Sequence, residues 1–184
     1  MAKARISPEA WVEEGLQVLA KGGPDAVRVE PLARSLGITK GSFYWSFKDR
    51  AALLEAILDR WERASVDEVI ERIEARGGEP AVKLRHLFAL ARGRDGIDLG
   101  RVDLAIRDWA RRDEAVAARL QRVDDRRIDY MRSLFAATGA GELETEARCL
   151  LVFSLFVGTP FIGASHPGHS RAEVLEEALD QLVG

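Results

Sequence analysis

The 184-residue chain carries 27 Lys/Arg against 30 Asp/Glu, with 47% hydrophobic and 31% charged residues, an ordinary soluble globular composition with room for one sizeable core or two small ones. A single cysteine, Cys149, excludes an internal disulfide framework and fits a reducing, cytoplasmic setting. No basic-then-apolar leader opens the sequence, so secretion is not expected, and the apolar run from Cys149 to Ala164, interrupted by Ser154, Thr159 and Pro160, is too short to span a membrane.

The net charge of −3 divides unevenly. Residues 1–50 carry eight Lys/Arg against six Asp/Glu, and the remainder nineteen against twenty-four. Only the first fifty residues therefore have the sign that suits phosphate.

Apolar residues recur at spacings of three and four almost everywhere, which predicts an all-α chain of about nine or ten helices. The first helix opens at Ser7-Pro8 with the stripe Val12, Leu16 and Leu19, and Gly22-Gly23-Pro24 ends it. A short helix over Val29–Leu36 follows. Gly37 then breaks the chain, and Thr39 is placed to cap a second short helix ending near Ser46. Asp49 caps a long helix from Arg50 to about Ala75, stopped by Gly77-Gly78. Further helices are expected from Pro80 to about Arg92, Arg101 to Arg112, Asp113 to Thr138 and Glu142 to Gly163, with a loop over 93–100. Ser170 and Glu173 make a capping box for the last helix, whose apolar face is Leu175, Ala178, Leu179 and Leu182. The division expected is a three-helix domain over 1–50 and a larger helical domain over 51–184, bridged by the start of the long helix.

The informative stretch is VEPLARSLGITKGSFYWSFKDRAALL, Val29 to Leu54. Leu32, Ala33, Leu36, Ile38, Phe43 and Phe47 supply one apolar core for two helices and a glycine turn. Thr39, Lys40, Gly41, Ser42, Tyr44 and Trp45 are left outward. A helix start bearing small, polar and cationic side chains suits phosphates and base edges, with Lys48 and Arg50 just beyond as backbone clamps. A helical hairpin of this kind also serves plain packing or protein interaction; the outward Tyr44-Trp45 pair, costly to leave in water without a use, favours double-stranded DNA.

This stretch resembles the tetracycline-repressor (TetR) family of regulators through Leu32-Ala33, Leu36 to Tyr44, Phe47 to Arg50 and Leu53-Leu54, with Leu19 to Gly23 resembling the end of that family's first helix. The resemblance implies that Thr39, Lys40, Gly41, Ser42, Tyr44 and Trp45 lie on a recognition helix and that Arg50 meets a phosphate. Arg28 stands where the family usually has a Ser or Thr cap, which offers a phosphate contact instead, and Ser46 replaces a frequent histidine. The implied protein is a homodimeric repressor released from a palindromic operator by a small-molecule effector.

The helix from Leu150 to Val157 is apolar all round, so it needs cover on every side. With the last helix it is expected to supply a four-helix dimer interface that includes Leu151, Phe153, Leu155, Phe156, Leu175, Leu179 and Leu182; the alternative is that both helices cap the core of one chain. Trp61, Phe88, Trp109 and Tyr130 are aromatic candidates for an effector pocket, although each also suits plain core. Arg127 lies on the stripe Val116, Leu120, Val123, Tyr130 and Leu134, where a buried cation needs a partner: an internal acid such as Asp103 or Asp108, or an anionic ligand. His166 and His169 read as a connector rather than a metal site, and Cys149 as core. No cofactor is implied, and no nucleophile set or phosphate loop points to an enzyme.

Overall fold

The computed structural model describes residues 6–91 and 98–183, and among them the chain forms ten α-helices and no strand. These gather into two compact units, one within Met1–Asp67 and Gly93–Gln121, the other within Glu68–Arg92 and Arg122–Gly184.

The first unit opens with α1 (Pro8–Ala26), which buries Trp11, Val12, Gly15, Leu16 and Leu19 along one stripe. Ser7 takes the extended N-cap geometry, but its hydroxyl accepts no backbone N–H, so the start rests on Pro8. The expected stop is a break at Gly23 (φ 68°, ψ −173°), after which Pro24 starts one last turn. Two short helices follow, α2 (Val29–Ser35) and α3 (Lys40–Phe43), then α4 (Arg50–Glu62), where the Asp49 carboxylate accepts the Ala52 N–H at 2.8 Å as the sequence predicts. Helix α4 meets α1 where Gly15 has no side chain: a Cβ there would lie 2.4 Å from Ile57 Cδ1. An Arg60–Glu13 ion pair at 2.9 Å joins the same two helices.

The long helix expected from Arg50 is in fact three pieces: α4, a π-helical turn at Arg63–Asp67, and α5 (Glu68–Arg76), stopped at Gly77 and Gly78, both at positive φ. Within the turn, Ser65 donates its hydroxyl to the Trp61 carbonyl at 2.6 Å, a side-chain bond that competes with the helical ladder. Helix α7 (Leu99–Ala110) packs on α1 with Val102 and Ile106 buried. It starts before the expected Arg101 because Asp98 caps it, accepting the Arg101 N–H at 3.1 Å; the remainder of the expected loop, 93–97, lies outside the described residues. Asp113 caps α8 (Glu114–Ala137), accepting from the N–H groups of Ala115 and Val116.

The second unit holds α5, α6 (Pro80–Ala91), the later turns of α8, α9 (Glu142–Gly158) and α10 (Arg171–Val183). Its core includes Leu84, Phe88, Met131, Phe135, Cys149 and Leu179. Helix α9 ends earlier than expected, because Pro160 falls in a 3-10 turn at Thr159–Phe161. The capping box at α10 is formed in both directions: Ser170 N–H donates to Glu173 Oε2 at 2.7 Å, and Glu173 N–H donates to Ser170 Oγ at 3.2 Å. On α5, Glu74 accepts the Tyr130 hydroxyl of α8 at 2.7 Å and the Lys83 ammonium of α6. No helix among the described residues is long and apolar enough to cross a membrane.

Two tests follow from this packing. Gly15→Val should destabilise the protein in urea by about 1–3 kcal/mol through overpacking. Ile57→Ala should then cost much less in that background than alone; strict additivity would show that the helices do not meet there. The Lys83 ammonium, and then the Tyr130 hydroxyl, hold the Glu74 carboxyl below its ordinary value. A carboxylate with a lowered folded pKa stabilises above the unfolded pKa and ceases to as pH falls, so the acid limb of a stability–pH curve, below roughly pH 4, should be shallower in Glu74→Gln than in wild type. Superimposable acid limbs would remove Glu74 from that role.

Candidate nucleic-acid interface

The turn between α2 and α3 is built on Gly37, whose φ of +67° is strained for any residue with a Cβ. Beyond it, the Ile38 N–H returns to the Ala33 carbonyl at 2.9 Å. Phe43 anchors α3 from beneath: it is fully buried, edge-on to Trp11 at 5.2 Å between centroids and stacked on Phe47 at 5.6 Å. Ser35 on α2 donates its hydroxyl to Glu14 of α1 at 2.6 Å, fixing the first short helix as well.

Against this core, Thr39, Lys40, Gly41 and Lys48 are exposed, Ser42 is half-buried, and Tyr44 and Trp45 stand 57% and 78% exposed. Helix α3 is shorter than expected. It ends at Phe43, and Tyr44 to Ser46 form a turn closed by the Ser46 and Phe47 N–H groups on the Phe43 carbonyl. One helical turn has little dipole, so the expected pull of a helix start on phosphate passes to the side chains. Thr39 sits at the N-cap with extended geometry, yet its hydroxyl pairs with that of Ser42 at 3.1 Å and caps no backbone N–H.

The cations are held in different ways. Lys40 pairs with Glu30 of α2 at 2.5 Å, and Lys48 lies 4.0 Å from its neighbour Asp49. Exposed Arg28 donates its Nε to the Asp25 carbonyl at 3.0 Å. Arg50, expected as an outward clamp, is half-buried: Nε donates to the Val27 carbonyl at 2.6 Å and Nη2 to the Pro24 carbonyl. It therefore ties the start of α4 to the end of α1, because the carbonyls freed at a helix end need donors and a guanidinium supplies two at a fixed spacing.

The effector candidates fall in both units. Trp61 is buried and Trp109 half-buried in the first; Phe88 is buried, and Arg127 and Tyr130 half-buried, in the second. Arg127 has an internal acid, but it is Asp124, one turn earlier on α8 at 3.2 Å, and the guanidinium also lies over the Phe156 ring at 5.8 Å. Of the acids considered from sequence, Asp103 pairs with Arg107 and Asp108 with Arg112. An open cleft of about 400 Å³ in the first unit, between residues 20–25 of α1 and Arg101, Leu104, Ala105, Asp108 and Arg112, contains none of the five candidates.

Of the expected dimer residues, Leu179 is buried within its own unit, and Phe153, Leu155, Leu175 and Leu182 pack partly on that core. The apolar surface left outward on α9 and the turn after it is Leu143, Leu150, Leu151, Phe161 and Ile162, of which only Leu151 belongs to the expected set. Leu150 was missed because a helix apolar all round does not reveal which side its own core takes; Leu143, Phe161 and Ile162 lie outside the run Leu150–Val157 from which the interface was expected.

Two short helices joined by a glycine turn and seated on a third define a helix-turn-helix domain. On this domain the chain is similar to the TetR family: residues 12–57 match the profile of the bacterial regulatory proteins of the tetR family. Over 137 residues it is 28% identical to the class D tetracycline repressor protein of Escherichia coli, covering 72% of this chain and 61% of that one. Over 58 residues it is 34% identical to the HTH-type transcriptional regulator TtgW of Pseudomonas putida, covering 31% and 42% of the two chains. The chain thus spans about three-fifths of the length of the curated tetracycline repressor it matches. A crystal structure of a transcriptional regulator from Rhodococcus sp. Rha1 shares the fold over 97% of this chain and 95% of its own, with a TM-score of 0.72 at 23% identity.

The two carbonyl bonds give Arg50→Ala a stability cost. Its unfolding free energy should fall by about 1–3 kcal/mol, the worth of hydrogen bonds from a charged donor. An unchanged urea midpoint would mean that these bonds are not formed in solution.

Proposed function

We propose that this protein is a DNA-binding transcriptional regulator, a homodimeric repressor released from a palindromic operator by a small-molecule effector, acting in the cytoplasm rather than as an enzyme. One observation carries the reading. Among the large hydrophobic side chains described in the first unit, only Tyr44 and Trp45 are left exposed, and they adjoin Lys40 on the outer edge of the helix-turn-helix. Aromatic faces beside small polar groups and a cation suit the major groove: methyl and sugar surfaces for the rings, base-edge acceptors for the ammonium. Arg28, Thr39, Gly41, Ser42 and Lys48 complete the contact surface. Arg50 contributes by holding α4 in place, its remaining Nη1 the part that can reach a phosphate.

The functional division runs at Arg50: residues 1–50 bind DNA, and 51–184 bind the effector and dimerise. Support for the dimer is the number of exposed large apolar side chains on α9 and just after it, Leu143, Leu150, Leu151, Phe161 and Ile162, which a lone chain would leave in water. Two copies of the recognition segment about 34 Å apart would read successive major grooves of a palindrome. The effector enters the helical domain; the candidate side chains are Phe88, Arg127 and Tyr130 in the second unit and, taken separately, Trp61 and Trp109 in the first.

The test is a mobility shift against a palindrome enriched from random duplexes by this protein. Tyr44→Ala should weaken binding at least about tenfold, or 1.4 kcal/mol. Its unfolding free energy should fall by no more than about 1 kcal/mol, the worth of the edge-on pair with Phe43, because the rest of the ring is exposed. Leu150→Glu with Leu151→Glu should give a folded monomer by sedimentation that loses the shift. Failure to enrich any duplex at low salt, or full binding by Tyr44→Ala, would overturn the reading.

A further inference from the structure

Lys40 is the only cation between Thr39 and Ser46, and it opens α3. Its ammonium meets the Glu30 carboxylate 2.5 Å away, across the Gly37 turn on the first turn of α2, and both side chains remain more than half exposed. An ion pair this open adds little to stability. A carboxylate beside a surface that meets phosphate also opposes binding to every duplex alike. We propose that Glu30 is a specificity-determining residue that cancels the charge of Lys40 while leaving its ammonium able to donate hydrogen bonds to base edges. The inference rests on the DNA-binding reading above.

A lysine ammonium has three N–H donors. Glu30 Oε1 takes one, leaving two for acceptors such as the O6 and N7 atoms of guanine. Non-specific attraction, by contrast, depends on charge: each phosphate neutralised releases counterions and adds to the salt dependence. Paired with Glu30, Lys40 adds little to that count. Discrimination is therefore retained while attraction to arbitrary sequence is lowered. The Glu30 carboxyl is held below its ordinary value, first by the hydrogen bond from Lys40, so the pair stays ionised at neutral pH.

The experiment measures fluorescence anisotropy of the full-length protein on two duplexes, the enriched palindrome and a random-sequence duplex of about 30 base pairs, from roughly 50 to 300 mM salt. In Glu30→Gln the random duplex should bind about 3–10-fold tighter, with the slope of log K against log salt steeper by about 0.9 per protomer contact. The ratio of specific to random affinity should fall. Asp125→Asn, an exposed neutralisation on α8, should change neither slope nor ratio. In a Lys40→Met background, Glu30→Gln should no longer steepen the slope. If it steepens it equally there, the carboxylate acts alone and the pairing is overturned, as it is if Glu30→Gln leaves slope and ratio at wild-type values. If the wild type binds neither duplex at about 50 mM salt, the regulator reading itself fails and takes this inference with it. Unchanged urea midpoints in all variants ensure that the readout is binding rather than folding.

Discussion

A helix of four residues has no stability of its own, so the placement of α3 depends on the seat of Phe43. Its ring is fully buried between Trp11 of α1 and Phe47 of the following turn. Everything outward on this segment inherits its position from that contact: Lys40 three residues before, Tyr44 immediately after, with the Tyr44 ring edge-on to Phe43 at 5.3 Å. Aromatic pairs in this geometry add about a kilocalorie beyond burial, roughly what a single helical turn lacks. The short segment thus borrows its order from α1.

The end of α1 is in turn secured by Arg50. At the last turn after the Gly23 break, the Val27 carbonyl, and the Pro24 carbonyl that also takes the Val27 N–H, accept from the arginine at the start of α4. With Gly15 allowing α1 and α4 to approach closely, both ends of the seam between these helices are defined: bare backbone at one level and a charged donor at the other. Any movement of α4 must therefore be shared with the end of α1. In a regulator of the proposed kind, that link would transmit an effector's influence, because α4 continues through the π-helical turn into α5.

Features carried by neighbouring residues were legible in the sequence. The Asp49 cap, the Ser170–Glu173 box, the glycine stops and the Leu32–Ala33–Phe43 core each depend on a few adjacent side chains, and the structure has them as read. Features that depend on contacts across the chain were not. Nothing in the spacing places Arg50 on carbonyls 23 and 26 residues away, shows that Gly15 is bare to admit Ile57, or pairs Lys40 with Glu30. Arg127 shows another side: its need for an acid was readable, and Asp124, one turn earlier on its own helix, supplies one. Thr39 has the residue type of a cap without its hydrogen bond, because Ser42 offers a competing hydroxyl.

The charge division gives the two ends of the chain complementary work. Residues 51–184 hold twenty-four acids against nineteen bases, and a negatively charged body near a duplex is repelled over about a Debye length, some 8 Å in physiological salt. On the proposed DNA-binding reading, the first fifty residues, slightly positive, are the part favoured to approach closely, so encounters would be oriented before any contact forms. That excess of two charges, a count that already includes the Glu30–Lys40 pair, would be too small to hold DNA tightly without sequence-specific contacts. A regulator that must leave its site when an effector arrives gains from this weakness. The less affinity rests on charge, which every sequence offers, the more rests on geometry, which a shift of the helices can withdraw.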